Sequence, residues 1–410
     1  MLLGGMRVVS FCHFLQGPAA TQYLGDMGAD VIKVEAPKGA FERYWAGGNA
    51  AYVDGVSAFY LCANRNKRSL AIDLKRPEAR EIIYRLIEGA DALVENFRPG
   101  VMDRLGFGYG EVRRRKPDII YASASGYGPD GPMRERPGQD LLIQALSGLI
   151  ASTGDLRQRP TPIGFAVADQ HGAALIALGV AGAYVRKLKT GRGTRIDATL
   201  FNAGIDLQNE PLTLYFSGKA NGRPSGREAF ERDPRLATWY HEAPYGVYRL
   251  SDCFIVVSMS VPAKLAEALA SEPLMALRDV DRYAERDRYA RTLAEELGRR
   301  SYAEVAKAFD AHAIWYARVQ EYDDLPDDPQ ARHAEIFREV RIGNGTATLV
   351  NHPLRYDGEV PPLRHLSVEI GEDTRAVLGE LGYGEAEIES LLRSGVVAAP
   401  PAGDDEKTGE

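Results

Sequence analysis

Four short apolar runs, Val8 to Phe11, Val31 to Val34, Ala92 to Val94 and Ile119 to Ala122, punctuate the first third of the chain. Segments with helical patterning, Ala19 to Met27 and Pro77 to Leu86, stand between them, the second opening as helices do with Pro77 early and Glu78 and Glu81 in its first turns. Strands that alternate with helices pair in parallel, because each crossover returns the chain to the same edge, so an open α/β sheet is expected. Ligands of such sheets sit outside the carboxyl ends of the strands.

Polar and cationic residues gather where those strands end. Leu15-Gln16-Gly17-Pro18 follows the first run, with a glycine that lets backbone approach a ligand. Glu35-Ala36-Pro37-Lys38-Gly39 follows the second, with Arg43 soon after. Asn64 to Ser69, with Arg65, Lys67 and Arg68, leads into Leu70 to Lys75, and Glu95 to Gly100 follows the third run. A single Lys or Arg is ordinarily a solvated charge. Four clusters at successive strand ends would converge on one edge and could hold phosphates.

The net charge of −7 gives no overall basic footprint of the kind nucleic-acid binding leaves, but leaves room for a local cationic pocket. Cys12, Cys62 and Cys253 are too scattered for a disulfide framework or a CxxC metal site, which suits a reducing cytoplasm. No signal peptide, membrane span or repeat is evident, so a cytoplasmic protein without membrane or nucleic-acid partners is expected.

From Gly172 to Val185 the only polar side-chain group is the phenol of Tyr184, a run too short for a bilayer and read as a core helix ending at Lys187-Leu188-Lys189-Thr190-Gly191. Asp169 stands just before it, after a proline-rich stretch from Arg159. There it can cap the helix, which would keep it ionised, or serve as a rigidly held nucleophile. Asp140, ahead of Leu141 to Ile150, reads as another helix start. Gly126-Tyr127-Gly128-Pro129-Asp130-Gly131 matches G-x-G-x-x-G, but Pro129 and Pro132 keep it in loop, so no nicotinamide or flavin site is expected.

Beyond Ser217 the chain turns rich in Gly, Arg and Pro, then offers strand-like Tyr245 to Tyr248 and Phe254 to Met259 and a charged helical run, Lys264 to Asp310. Leu349 to Leu354 reads as a strand, and Glu372 to Thr374 as the start of a C-terminal helix that packs back on the first domain. The expected division is 1–216 for the first part of a large domain, 217–330 for a smaller α/β domain, 331–397 for the return to the large one, and 398–410 for a disordered tail.

Taken together the blocks resemble the family III (CaiB/BaiF type) CoA-transferases, among them formyl-CoA and carnitine CoA-transferases, whose fold α-methylacyl-CoA racemase shares. The resemblance runs from about Val8 to Val397. It rests on Gly28 to Glu35, Asn64 to Ser69, Val94 to Gly100, Asp103 to Gly106, Gly126 to Gly128, Gly138 to Asp140, Gln144 to Gly148, Ala168-Asp169, Thr190 to Gly193 and Leu378 to Gly382. It implies a Rossmann-like large domain built from both chain ends, a smaller central domain, and a homodimer of interlocked subunits. It places CoA against Gln16, Gly17, Lys38, Ile72, Asp73, Leu74, Lys75, Asn96, Phe97, Arg98 and Arg104, and makes Asp169 the catalytic carboxylate. CoA would pass from an acyl-CoA to a small carboxylic acid through an aspartyl anhydride and an aspartyl-CoA thioester, with oxyanion donors from backbone N–H groups near Gln16-Gly17. The CoA thioester is substrate, and neither metal nor permanently bound cofactor is required.

Two departures bear on this. The racemase branch carries a histidine where Gln139 stands, and Gln139 is no base at neutral pH, which disfavours racemase or epimerase chemistry. The second domain has Asp252-Cys253 and Ser258-Met259-Ser260 where many relatives carry glycines, which keeps a catalytically silent CoA-binding protein as a further alternative. Tyr240, His241 and Tyr245 either face the acyl group or pack among themselves.

Overall fold

The computed structural model describes residues 1–48, 51–154 and 160–401; Arg159 and residues 402–410 of the expected tail lie outside them. The chain forms two compact units. The first comprises Met1–Ile143, Ala166–Gly204 and the chain from Pro329, and the second comprises Gln144–Phe165 and Ile205–Asp328. The main stretch of the second unit thus runs from Ile205, where the sequence reading expected 217, and the unit also takes in Gln144–Phe165, which that reading assigned to the first.

The first unit is built on β1 (Arg7–Phe11), β2 (Asp30–Glu35), β3 (Lys67–Ile72), β4 (Ala92–Glu95), β5 (Ile120–Ser125) and β6 (Thr194–Thr199). All six are parallel, in the order β3-β2-β1-β4-β5-β6, and Val397–Ala398 adds an antiparallel edge beside β3. Ala398, expected in the tail, therefore pairs with Ala71. Helices α1 (Gln16–Asp26), α2 (Pro77–Glu88), α3 (Val101–Leu105), α4 (Tyr109–Arg115), α5 (Asp140–Leu146) and α6 (Val167–Thr190) follow in order.

The strands alternate sides. Val8 and Val31 face a core completed by Ala20 and Leu24 of α1 and by Ala173, Ile176 and Val180 of α6. Val9 and Ile32 face the opposite core, filled from α2, α4 and the C-terminal helices Thr374–Glu380 and Glu385–Arg393. Burying a Val or Ile side chain is worth about 1.5–3 kcal/mol, so a one-residue slip would exchange the two faces and forfeit many such terms. Small residues on α6 let it lie close along α1. Its apolar run is not all core, however: Leu175, Leu178, Val185 and Leu188 are exposed. Gly191, at φ +68°, ends α6 in the left-handed conformation, and Lys187 in its last turn pairs with Asp91 and Asp118 at 2.9 and 3.0 Å.

Strand β3 is the main element that the sequence reading did not anticipate. Its cationic lead-in lies at the amino end of the strand, away from the ligand-binding edge. Asn64, Arg65, Asn66, Lys67 and Ser69 are all buried. Arg65 pairs with Asp26 at 2.7 Å, Arg68 with Asp30 at 2.7 Å and with Glu380 at 2.6 Å, and Lys67 donates to the carbonyls of Pro18 and Ala63. Arg43 is likewise consumed by Glu35 at 2.7 Å. These charges hold the fold together and leave nothing for a phosphate.

In the second unit β7 (Gly246–Arg249), β8 (Phe254–Val257) and β9 (Tyr316–Arg318) form an antiparallel sheet with β8 central. Helices α7 (Pro262–Ala268), α8 (Arg286–Leu297) and α9 (Tyr302–Ala311) pack on it around Tyr248, Leu265, Tyr289 and Phe309. Among the described residues no helix is long and apolar enough to cross a membrane.

Candidate active site

The sheet order reverses direction at β1, whose successor β2 lies on one side and β4 on the other. The loops after β1 and β4 therefore flank a crevice at the carboxyl edge. Asn96, just past β4, closes it at the base. Its Nδ2 donates to His13 O at 2.8 Å and its Oδ1 accepts from His13 N at 2.9 Å. The Asn96 side chain is thus fastened to the His13 backbone through its oxygen and one of its two amide N–H groups. Phe14, at φ +60°, takes a conformation that bulky residues rarely adopt. Buried Glu42 accepts from its N–H at 3.3 Å and pairs with buried Lys33 at 2.8 Å.

Helix α1 starts immediately afterwards without a side-chain cap, and Pro18 has no N–H to offer. Gly17 permits the tight start, since a Cβ there would lie 2.7 Å from Cys12 Sγ and 3.1 Å from Asn96 Cγ. Gln16 is only 4% exposed, and its Nε2 is buried without a hydrogen-bond partner among the described residues. A buried amide left unpaired costs about 1–3 kcal/mol, an expense that folding alone does not explain. That nitrogen lies against α6: a Cβ on Gly172 would be 2.5 Å from it. Gly172 stands three residues beyond Asp169, on the same helix face.

Asp169 is the third residue of α6, half-buried. It does not cap its own helix. Asp140 does so instead, its Oδ1 accepting from Ala168 N at 2.7 Å and from Asp169 N at 3.1 Å. Buried Ile143, Ala168 and Leu200 seat this junction. Deprived of those donors, Asp169 does not have the low pKa that a cap position would give. Burial, and then the charge of Asp140, push it up to about 7. Asp140 was missed in this role: it stood before an apolar segment, was read as that segment's own start, and closed the Gly138 to Asp140 block of the resemblance without a role of its own. Glu95 was missed too: burial foremost pushes it up to about 7, against hydrogen bonds from Ser123 and Phe97 N, with Asp103 and Asp197 adding to the rise.

The remaining candidates line the edge unevenly. Ile72 is buried in the core and pairs with Val397, so only its backbone faces the edge. Asp73 donates its N–H to Val396 O and accepts from Lys75 N at 3.0 Å. Leu74 and Phe97 pack partly buried on the core, and Phe97 lies 5.1 Å from the His13 ring. Lys38, Lys75, Arg98 and Arg104 are exposed. Gly126 to Gly131 opens no helix. In the second unit His241 stacks on Tyr245 at 4.2 Å, and Tyr240 donates to Glu210 at 3.1 Å. The altered Ser258–Ser260 turn is fastened to Trp315, through Ser258 N to its carbonyl at 2.9 Å and Ser260 Oγ to its N–H at 3.4 Å.

This arrangement can be set beside known proteins. The model of CoA-transferase family III matches residues 3–374. The chain belongs to CoA-transferase family III. The mouse succinyl-CoA:glutarate CoA-transferase is 30% identical over 413 residues, covering 96% of this chain and 90% of that protein. The acetyl-CoA:oxalate CoA-transferase of Acetobacter aceti is 29% identical over 393 residues, covering 93% and 96%. A crystal structure of a CaiB/BaiF family protein from Brucella suis superposes with a TM-score of 0.80 at 27% identity, covering 92% of this transferase and 99% of that chain. The protein is therefore an enzyme of CoA transfer, and its mixed α/β fold is that of the family.

Proposed function

We propose that the transferase moves CoA from an acyl-CoA to a free carboxylic acid through covalent intermediates on Asp169. The observation that carries this reading is the placing, at one end of α6, of Asp169, whose backbone N–H Asp140 holds, near the buried amide of Gln16, unpartnered among the described residues. Asp169 attacks the donor thioester carbonyl, and the tetrahedral oxyanion collapses to an aspartyl-acyl anhydride and CoA thiolate. The thiolate attacks the aspartyl carbonyl, which releases the donor acid and leaves an aspartyl-CoA thioester. The acceptor carboxylate then attacks that thioester, expelling the thiolate and forming a second anhydride. The thiolate finally takes the acceptor acyl group, and the Asp169 carboxylate is regenerated. Each step exchanges one acyl bond for another, so no oxidant or net proton is needed.

Gln16 Nε2 is a preorganised donor for the oxyanions, and the N–H groups of Gln16 and Gly17, which have no protein acceptor among the described residues, join it. Lys38, Lys75, Arg98 and Arg104, exposed along the edge and without ion pairs among the described residues, are the phosphate partners of CoA. The mouse relative is named for succinyl-CoA and glutarate and the Acetobacter aceti relative for acetyl-CoA and oxalate, which supports a small dicarboxylic acid as one substrate. The exposed apolar stripe on α6 supports an interlocked homodimer.

Mass spectrometry of enzyme mixed with succinyl-CoA tests the mechanism. An adduct confined to Asp169, absent from Asp169→Ala together with turnover, is expected; normal transfer by Asp169→Ala would refute the covalent route.

A further inference from the structure

The second unit carries an open surface cavity of about 260 Å³ lined by Arg235, Arg249, Arg291, Ala294, Glu295 and Gly298, with Arg249, Arg291 and Glu295 exposed to solvent. None of these residues belongs to the site around Asp169. Arg291, Ala294, Glu295 and Gly298 are spaced i, i+3, i+4 and i+7, so α8 and the glycine that ends it present one face to the cavity. Arg249 ends β7. Arg235 comes in beside that strand because Leu236 bridges to Gly246, where any Cβ would collide with the Arg235 carbonyl.

The protein does not consume these three guanidinium groups. Arg235 Nη1 is held by the buried Asp233 carboxylate at 3.0 and 3.1 Å, which orients its fork. Arg249 Nε donates to Leu250 O at 3.0 Å, and its guanidinium lies 4.8 Å over the Phe254 ring. Arg291 approaches Asp233 at 3.7 Å, an ion pair too long for a hydrogen bond. Among the described residues, then, the Nη groups of Arg249 and all the side-chain donors of Arg291 have no acceptor. Three cations against Asp233 and Glu295 leave the lining net positive. Glu295 adds a second requirement: an anion seated here meets a carboxylate as well, and avoids repulsion by presenting it with a hydroxyl.

We infer that this cavity binds a small oxyanion that keeps an acidic hydroxyl at neutral pH, phosphate being the simplest. The guanidinium forks match its oxygens bidentately. The cavity is smaller than the roughly 300–1,000 Å³ pockets that take drug-sized ligands, so it suits a phosphate group and not a whole nucleotide. Sulfate, of the same shape but with no proton at neutral pH, is the discriminating probe.

Titration calorimetry of the whole enzyme with inorganic phosphate and with sulfate tests the assignment. Phosphate is expected to bind more tightly than sulfate. Arg249→Gln/Arg291→Gln should weaken phosphate about tenfold or more, the loss of a charge-assisted contact. Glu295→Gln should narrow the preference for phosphate, a change of opposite sense that a disturbed fold would not produce. Lys75→Gln/Arg104→Gln, altered at the CoA edge, can remove any phosphate held there but should leave the preference for phosphate over sulfate at this cavity in place. No phosphate binding, equal affinity for the two anions, or loss only in the Lys75/Arg104 variant would overturn the assignment.

Discussion

Asp169 and Asp140 make an unequal pair. Asp140 spends its carboxylate on the first N–H groups of α6, and Asp169, next to it and half-buried, is left with a pKa raised to about 7. Burial is the larger cause and the Asp140 charge the second, which makes the second separable by mutation. Asn at position 140 keeps an oxygen acceptor for the two N–H groups while removing the charge. A carboxyl loses its proton more readily without an anion beside it, so the Asp169 pKa should fall. The proposed nucleophile is the ionised form of Asp169, so the acid limb of kcat/KM should move to lower pH in Asp140→Asn, by on the order of one unit. An acid limb at the same pH in both enzymes would show that Asp140 does not set the charge state of Asp169. The expectation that a helix start holds Asp169 ionised came from treating its neighbourhood as local, and the carboxylate that takes the donors is 29 residues away.

At the scale of elements, β3 shows what periodicity cannot reveal. Its first half, Lys67-Arg68-Ser69, reads as a solvated or phosphate-binding cluster because burying such groups is ordinarily unfavourable. Here Lys67 gains the carbonyls of Pro18 and Ala63, Arg68 gains Asp30 and Glu380, and Ser69 donates to Glu35, partners scattered from residue 18 to 380. Strands β1, β2, β4 and β5 were legible because their apolar runs need no distant partner to be buried. The returning C-terminal segment is fastened to β3 by a titrating cluster. His365 Nε2 meets Asp373 Oδ2 at 3.1 Å and Ser367 Oγ at 2.9 Å, and Ser69 N donates to the same Asp373 oxygen at 2.8 Å.

The hydrogen bond to Asp373 is the main reason that the His365 pKa is raised from 6.5; burial opposes it, Glu372 assists and Arg68 counters. A histidine whose pKa is raised on folding contributes stability that is complete below its unfolded value and disappears as pH climbs through the folded one. The Tm difference between the wild type and His365→Gln should therefore be larger at about pH 5.5 than at about pH 9. Asp373 lies below its usual range: burial alone would raise it, but bonds from His365, Ser69 N and Ser367 prevail, so it stays ionised throughout that window. A Tm gap that does not change between the two pH values would mean that the pair contributes nothing through charge.

For the whole molecule, the sequence pointed to one sheet edge as the place for a ligand, and the strand order gives that edge its crevice: loops after β1 and β4 diverge at the reversal point and leave room between them. It could not show that Gln16 points an unpaired amide at α6, because that depends on how closely Gly172 lets two helices approach. Nor could it show that the apolar run of α6 has two destinations. One face is core, while Leu178 and Leu188 on the other are 70% and 69% exposed, in company with Leu175 and Val185. A second copy of the chain is the occupant proposed for that stripe. Light scattering should give twice the chain mass of 44.9 kDa, and an interlocked pair should hold that mass on dilution, because release requires unfolding and not simple separation. Leu178→Glu places a charge where apolar surface should be buried, which costs several kcal/mol if no partner for it is present. The variant should yield far less dimer, with aggregated chain in its place, whereas on a free surface the same change alters stability by only about 0.5 kcal/mol. A wild-type enzyme that runs as a monomer at micromolar concentration, with Leu178→Glu indistinguishable from it, would leave the α6 stripe without its proposed partner.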